Sequence, residues 1–172
     1  MKVFKFGGAS VKDAAGVKNL SSIVHQQHGQ LIVVVSAMGK TTNLLETLCN
    51  AYFHQDPKAT AIMKELKNFH LDIVNTLFPL NDTIHKHLEE LFTSLENILA
   101  SESSLCYDYE YDRIICFGEL ISTTIISDYL KMEGIENQFI DIRKFLKTDQ
   151  NYRNANIDLE LSEQLCKDAF DF

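Results

Sequence analysis

The stretch Val3-Phe4-Lys5-Phe6-Gly7-Gly8-Ala9-Ser10 opens the chain with β-prone residues that give way to two glycines. The apolar run predicts a first strand, and Gly7-Gly8 predicts a tight turn after it. Apolar residues then recur at helical spacing from Val11 to about His28, and Gly29 predicts the end of that helix. We therefore expect the order strand, glycine-rich turn, helix.

A second strand is predicted at Leu31-Ile32-Val33-Val34-Val35, an uninterrupted apolar run that is mostly β-branched. Such a run is typical of a parallel strand that is buried on both faces. Ser36 to Asn43 is then expected to be a polar loop with Thr42 or Asn43 as a helix cap, and Leu44 to about Phe53 a helix. This alternation predicts an α/β fold with a parallel sheet, in which ligands bind where the strands end.

Two amphipathic helices between about residues 54 and 103 interrupt the α/β pattern. Asp56-Pro57 starts the first helix, Phe78-Pro79 ends it, and Asn81 or Asp82 caps the second. A short turn between them predicts a helical hairpin that is inserted into the domain. The pattern alone favours a packing or subunit-contact element without chemistry.

Helical spacing from Asp112 to about Lys131 predicts a further helix, which encloses the tripeptide Phe117-Gly118-Glu119. Glycine within a helix is destabilising by about 1 kcal/mol relative to alanine, which indicates close approach of a ligand or another backbone at that glycine. The glutamate is equally compatible with a solvent-exposed position. A short strand at Gln138–Asp141 and a weak helix at Leu159–Ala169 complete the predicted elements.

The chain has 172 residues with a formal net charge of −8, and 45% of its residues are hydrophobic. These values are typical of one soluble globular domain, and the lack of a block rich in Lys and Arg disfavours a nucleic-acid partner. No apolar run approaches membrane-spanning length, and the four cysteines form no C-x-x-C pair. We therefore expect a cytoplasmic protein with reduced thiols, no membrane partner and no metal site.

Lys5 and the glycines after it suit phosphate binding. Glycines let backbone N–H groups approach phosphate oxygens, a helix N-terminus adds partial positive charge, and the lysine adds a full charge. The pattern by itself is more often only an ordinary turn. Gly39-Lys40-Thr41 imitates the end of a P-loop, but Val34 stands where that motif requires glycine, which excludes a P-loop.

Taken in order, four motifs resemble those of aspartate kinases. They are Lys5-Phe6-Gly7-Gly8-x-Ser10-Val11, Val34-Val35-Ser36-Ala37-x-Gly39-x-Thr41-Thr42-Asn43, Gly118-Glu119-x-x-Ser122, and Asp141-x-Arg143 with Thr148-Asp149 and Asn154-Ala155. The resemblance covers essentially the whole chain, and the predicted hairpin is similar to an insertion in one subgroup of that family. It implies the amino-acid kinase fold, a parallel-sheet αβα sandwich.

The resemblance also implies an activity. An aspartate kinase transfers the γ-phosphoryl group of ATP, bound with Mg²⁺, to the side-chain carboxylate of L-aspartate. The product, 4-phospho-L-aspartate, leads to lysine, threonine and methionine. Such a transfer depends mainly on positioning and charge neutralisation. A homo-oligomer is expected by the same similarity, with no tightly bound cofactor.

Site residues follow from the matched motifs. By similarity, Lys5 would neutralise charge on the transferring phosphoryl group, while Gly7 and Gly8 would offer backbone donors with Ser10 close by. These residues would form the phosphate side of the site.

The acceptor side is implied by the other motifs. Thr42 would hydrogen-bond the aspartate substrate, Glu119 would pair with its ammonium group, and Arg143 would help to hold the site.

Two features depart from the family pattern. Ala9 stands where the family usually has threonine or serine, and the chain stops before the kinase domain should end. We therefore expect residues 1–172 to be a truncated part of the catalytic domain, without the C-terminal nucleotide-binding part and the regulatory domains, and to be inactive alone. Two alternatives stay open: another member of the amino-acid kinase superfamily, with a different carboxylate, carbamate or nucleotide acceptor, and a non-catalytic assembly module built on the hairpin at about 54–103.

Overall fold

The computed structural model describes residues 1–78 and 83–170, and in this part of the chain the sheet has two strands, β1 at Lys2–Phe6 and β2 at Leu31–Val35. The strands are parallel, in register from Lys2 opposite Leu31 to Phe6 opposite Val35. Helix α1, Ala14–His25, connects them. This arrangement confirms the predicted α/β fold with a parallel sheet.

The other helices are α2 at Thr41–Phe53, α3 at Lys58–Leu77, α4 at Thr83–Ala100, α5 at Tyr107–Ile115, α6 at Phe117–Met132 and α7 at Leu159–Ala169, with a 3₁₀ turn at Ile142–Lys144. Helix α7 agrees with the predicted segment. The predicted roles of Pro79, Asn81 and Asp82 fall outside the described residues. Among the helices described, none combines the length and the apolar character needed to span a bilayer.

The two faces of the sheet differ in burial. Phe6 and Val33 pack against the buried core, and Val35 belongs to it. Side chains alternate along a strand, so Val3 and Val34 lie on the opposite face, where they are 60% and 45% exposed. The prediction that β2 is buried on both faces is wrong for the described chain, because Val34 remains exposed on the second face.

Helix α1 begins three residues later than its apolar spacing predicts. Asp13 is its N-cap, and the carboxylate accepts a hydrogen bond from the Gly16 N–H at 2.8 Å. Val11 is fully buried in the preceding turn. Val11 therefore fits the apolar spacing of the helix although it lies in the turn before the helix begins.

Helix α2 begins earlier than predicted, at Thr41 rather than Leu44. Its N-cap is Lys40, whose side chain makes no capping hydrogen bond. The predicted caps Thr42 and Asn43 therefore lie inside the first turn.

The helix predicted from Asp112 to Lys131 is two helices, which meet at Cys116. Helix α5 packs mainly against α2, whereas α6 packs mainly against α4. The different partners require a change of axis that apolar spacing does not show. The predicted strand at Gln138–Asp141 is wrong, because no strand of the described residues pairs with this segment and a strand needs a partner.

The predicted helical hairpin consists of α3 and α4, and both helices belong to the core. Helix α3 packs mainly against α2, and α4 against α6. Their fully buried apolar side chains include Leu66 and Val74 on α3 and Ile84, Leu88 and Leu95 on α4. The hairpin therefore supports the α/β part of the chain instead of projecting from it.

Candidate active site

The loops that follow β1 and β2 lie against each other at one edge of the sheet. The Gly39 N–H donates to the Gly8 carbonyl at 3.0 Å, and the Ser36 N–H donates to the Phe6 carbonyl at 3.0 Å. A side chain on Gly8 would place its Cβ 2.5 Å from the carbonyl oxygen of Ala37. Gly8 is therefore needed where the two loops pack, and the prediction that both loops share this edge is confirmed.

Backbone donors are free in the first loop. The Ser10 N–H donates to the Gly7 carbonyl at 2.9 Å and closes the turn. Within residues 1–78 and 83–170, the N–H groups of Gly7, Gly8 and Ala9 donate to no protein group. A ligand with oxygen acceptors therefore finds three adjacent unused donors here.

Lys5 adds a positive charge beside these donors. Its side chain is exposed, and its Nζ lies 3.8 Å from the position that a Cβ on Gly7 would take. No carboxylate of the described residues pairs with Lys5. The first turn of α1 contributes less than the sequence predicts, because the Asp13 carboxylate already occupies that helix N-terminus.

Glu119 approaches the second loop from the first turn of α6. Its Oε1 accepts a hydrogen bond from the Ala37 N–H at 3.2 Å. A Cβ on Gly118 would lie 2.8 Å from the Ala37 Cβ and 3.3 Å from the Leu45 Cδ1. A close approach at Gly118 is present as predicted, but the approaching atoms belong to the side chains of Ala37 and Leu45 and not to a ligand or another backbone.

Thr41 and Thr42 begin α2 at the other end of this loop. Thr42 is half-buried, and its hydroxyl has no hydrogen-bond partner in the part of the chain that the structure describes. Thr41 is buried, and its Oγ1 lies 3.2 Å from the Nε2 of His70. The Thr41 hydroxyl therefore bonds within the fold, whereas the neighbouring Thr42 hydroxyl is free to bond to a ligand.

Arg143 lies beside the start of α6. Its Nε and Nη2 donate to the two carboxylate oxygens of Asp141 at 2.9 and 2.7 Å, and its Nη1 donates to the Cys116 Sγ at 3.2 Å. These bonds hold the pKa of Asp141 below its usual value. Burial raises the pKa of the Cys116 thiol, and the Arg143 charge opposes this rise.

Ala37 connects the two groups of predicted site residues. Its carbonyl packs on Gly8, its N–H bonds to Glu119, and its Cβ contacts the backbone position of Gly118. The structure thus places a cationic, donor-rich edge next to a loop that is bonded to the Glu119 carboxylate and ends at the free Thr42 hydroxyl. The Arg143 side chain is bonded to Asp141 and Cys116 instead, and it makes no hydrogen bond to this loop in residues 1–78 and 83–170.

Comparison with protein-family models identifies the family of this chain. The model of the amino acid kinase family matches residues 1–171. The chain belongs to the amino acid kinase family. Aspartokinase 2, chloroplastic, of Arabidopsis thaliana is 31% identical over 164 residues, which cover 90% of this chain and 29% of that protein.

Two solved structures show that this amino acid kinase chain has the aspartokinase fold. Escherichia coli aspartokinase III in complex with lysine and aspartate superposes with a TM-score of 0.86 at 25% identity, covering 96% of this chain and 37% of that chain. The same enzyme with aspartate and ADP gives a TM-score of 0.85 at 25% identity, covering 96% and 36%. The resemblance to aspartate kinases is thereby confirmed, for about a third of the length of the relatives matched.

Two residues of this amino acid kinase site escaped the sequence prediction. Ala37 acts through its backbone, which no side-chain motif reveals. His70 lies in the apolar stripe of α3, four residues after Leu66 and four before Val74. A histidine at this spacing lies on the buried face of the helix, which indicates that its ring needs a buried hydrogen-bond partner.

Proposed function

We propose that this chain carries the phosphate side and the acceptor side of an aspartate kinase. The aspartate side-chain carboxylate would attack the γ-phosphorus of ATP, the bond from that phosphorus to the β–γ bridging oxygen would break, and ADP would leave. The products would be 4-phospho-L-aspartate, for lysine, threonine and methionine biosynthesis, and ADP. The observation that carries the proposal is the junction at Ala37, which brings Gly8 and Glu119 to opposite sides of one residue.

Lys5 and the free N–H groups of Gly7 and Gly8 would bind the oxygens of the transferring phosphoryl group. Their charge complements the negative charge that develops in phosphoryl transfer. Ser10 lies in the same turn with an exposed side chain. Mg²⁺ would arrive as part of the ATP complex.

Glu119, Thr42 and Arg143 would orient the acceptor. The Glu119 carboxylate suits the ammonium group of an amino acid, and the free Thr42 hydroxyl suits a carboxylate oxygen. A guanidinium has five N–H donors, and three of those on Arg143 are engaged by Asp141 and Cys116. The other two are available for a substrate carboxylate.

The charge of this acceptor side favours an amino acid over a nucleotide acceptor. A nucleoside monophosphate would place its phosphate against Glu119, and like charges at short range repel. A zwitterion with one extra carboxylate matches the combination of Glu119, Thr42 and Arg143. This match favours an amino acid with a side-chain carboxylate, such as aspartate, over a nucleotide or carbamate acceptor.

Calorimetric titration with L-aspartate, L-asparagine and L-glutamate tests the proposed acceptor. We expect L-aspartate to bind most tightly, because asparagine lacks the second carboxylate and glutamate places it one methylene too far. Binding of L-asparagine as tight as that of L-aspartate would refute the proposed acceptor. Because the chain spans about a third of its relatives, we also propose that it releases no ADP from ATP and aspartate by itself, which a coupled ADP assay checks.

A further inference from the structure

Helix α3 of the hairpin touches the loop that follows β2 at two consecutive residues. The Phe69 ring lies 3.4 Å from the position that a Cβ on Gly39 would take, and Gly39 has a φ of +54°. The next residue, His70, is fully buried, and its Nε2 meets the Thr41 hydroxyl at 3.2 Å. An inserted element thus reaches the loop that lies between Gly8 and Glu119.

The hydrogen bonds of His70 fix its protonation. The Nδ1 lies 2.8 Å from the Leu66 carbonyl oxygen, which only accepts, so Nδ1 carries the proton. The Nε2 of a neutral ring is then an acceptor, and the Thr41 hydroxyl donates to it. Two aromatic rings enclose the imidazole, Phe69 at 4.9 Å and Phe92 at 6.4 Å between ring centroids. No charged group of the described residues hydrogen-bonds to it.

This contact anchors the start of a helix that has no side-chain N-cap. The N-cap of α2, Lys40, offers no side-chain acceptor to the first turn. Thr41 is the first residue of α2 and its side chain is held from outside the helix, by a group 29 residues along the chain. The start of α2 is therefore fixed in position by α3, and Thr42 is the next residue.

We infer that His70 is a positioning residue for the acceptor loop, defined as residues 36–42. Four hydrogen bonds hold the loop. The Ser36 and Gly39 N–H groups bond to the carbonyls of Phe6 and Gly8, the Ala37 N–H bonds to Glu119, and Thr41 bonds to His70. The His70 bond sets the start of α2 and with it the direction of the Thr42 hydroxyl. The inference rests on the proposed function in so far as this loop receives the amino-acid acceptor.

The test compares four variants of the 172-residue chain. His70→Leu removes the acceptor and leaves the buried Thr41 hydroxyl unpaired. His70→Gln restores an oxygen acceptor at the reach of Nε2. Val74→Ala is the matched control, because Val74 is equally buried one turn further along α3 and its side chain has no group that can hydrogen-bond to the acceptor loop. Thr41→Val deletes the donor instead, and it serves if His70→Leu does not fold.

Two measurements are made on each variant, amide hydrogen exchange of residues 36–44 and the affinity for L-aspartate by calorimetry. Leaving a buried polar group unpaired costs free energy that corresponds to about a tenfold change in the equilibrium constant of the state that buries it. We expect His70→Leu to speed exchange in the acceptor loop and to weaken aspartate binding by about tenfold, with His70→Gln within about threefold of wild type. Val74→Ala should lower overall stability while leaving the affinity for aspartate unchanged.

The outcomes separate this inference from the proposed function. Unchanged loop exchange in both His70→Leu and Thr41→Val would overturn the positioning role, whatever binds. Equal losses of affinity in His70→Leu and Val74→Ala would also overturn it, because the effect would be one of stability. Faster loop exchange in His70→Leu and Thr41→Val, but not in Val74→Ala, would support the positioning role even if the wild-type chain binds no aspartate. Failure of the wild-type chain to bind aspartate would refute the proposed acceptor.

Discussion

Ala37 donates its backbone N–H to the Oε1 of Glu119 at 3.2 Å, across 82 positions of sequence. This bond ties the acceptor loop to the first turn of α6. The other carboxylate oxygen of Glu119 has no hydrogen-bond partner in the described residues. Glu119 therefore combines one contact that holds the loop with one free oxygen on an exposed residue.

Glu119→Gln separates these two roles. An amide oxygen can still accept from the Ala37 N–H, while the charge that would attract an ammonium group is lost. We expect the melting temperature to change by less than about 2 °C and the affinity for L-aspartate to fall at least tenfold, since hydrogen bonds to charged groups contribute about 1.5–3 kcal/mol. Calorimetry and thermal unfolding measure both. Wild-type affinity in Glu119→Gln would rule out the ammonium contact.

Gly118→Ala tests the packing of α6 on the acceptor loop. The new Cβ would lie 2.8 Å from the Ala37 Cβ, so atoms must shift. We expect a loss of about 1–3 kcal/mol in the free energy of unfolding, although alanine favours a helix by up to about 1 kcal/mol. Urea unfolding measures the loss. Adding Ala37→Gly removes the Ala37 Cβ with which the new methyl group clashes, and it should restore part of the stability. A double variant whose loss in the free energy of unfolding equals the sum of the two single losses would contradict this contact.

Local patterns were enough to predict the elements that position the site. The β-branched run Leu31–Val35, the glycines after β1 and the helix-embedded Gly118 each have a short-range signature that the structure confirms. The break at Cys116 has none, because Ile114 and Phe117 keep an apolar pattern while their helices pack against different partners. The spacing of His70 on α3 indicates its burial, but no local pattern reveals its partner Thr41, which lies 29 residues away.

Lys5→Met tests the phosphate side. Lys5 is exposed and pairs with no carboxylate in residues 1–78 and 83–170, so the free energy of unfolding should change by less than about 0.5 kcal/mol. We expect tripolyphosphate to bind at least about fivefold more weakly in calorimetry at low salt. Lys18→Met, an exposed lysine on α1, makes the same change in net charge and is the control. Equal weakening in both variants would show that the anion binds only through net charge.

The pH dependence of stability tests the environment of His70. Burial lowers the pKa of His70 from 6.5 to about 4, although its hydrogen bond to the Leu66 carbonyl acts in the opposite direction. Below pH 6.5 the unfolded chain binds a proton that the folded chain does not, so the stability that His70 gives above pH 6.5 is lost as the pH falls towards 4. A shift of this size corresponds to about 3 kcal/mol in the free energy of unfolding.

His70→Gln isolates this contribution, because every carboxylate titrates in both proteins. We expect the difference in unfolding free energy between wild type and His70→Gln to be constant above pH 7 and to change by about 3 kcal/mol, in favour of the variant, between pH 6.5 and 4. Urea unfolding at half-unit pH steps measures it. A difference independent of pH over this range would mean that His70 accepts a proton in the folded chain as readily as in the unfolded one, and a protonated Nε2 cannot accept the Thr41 hydroxyl.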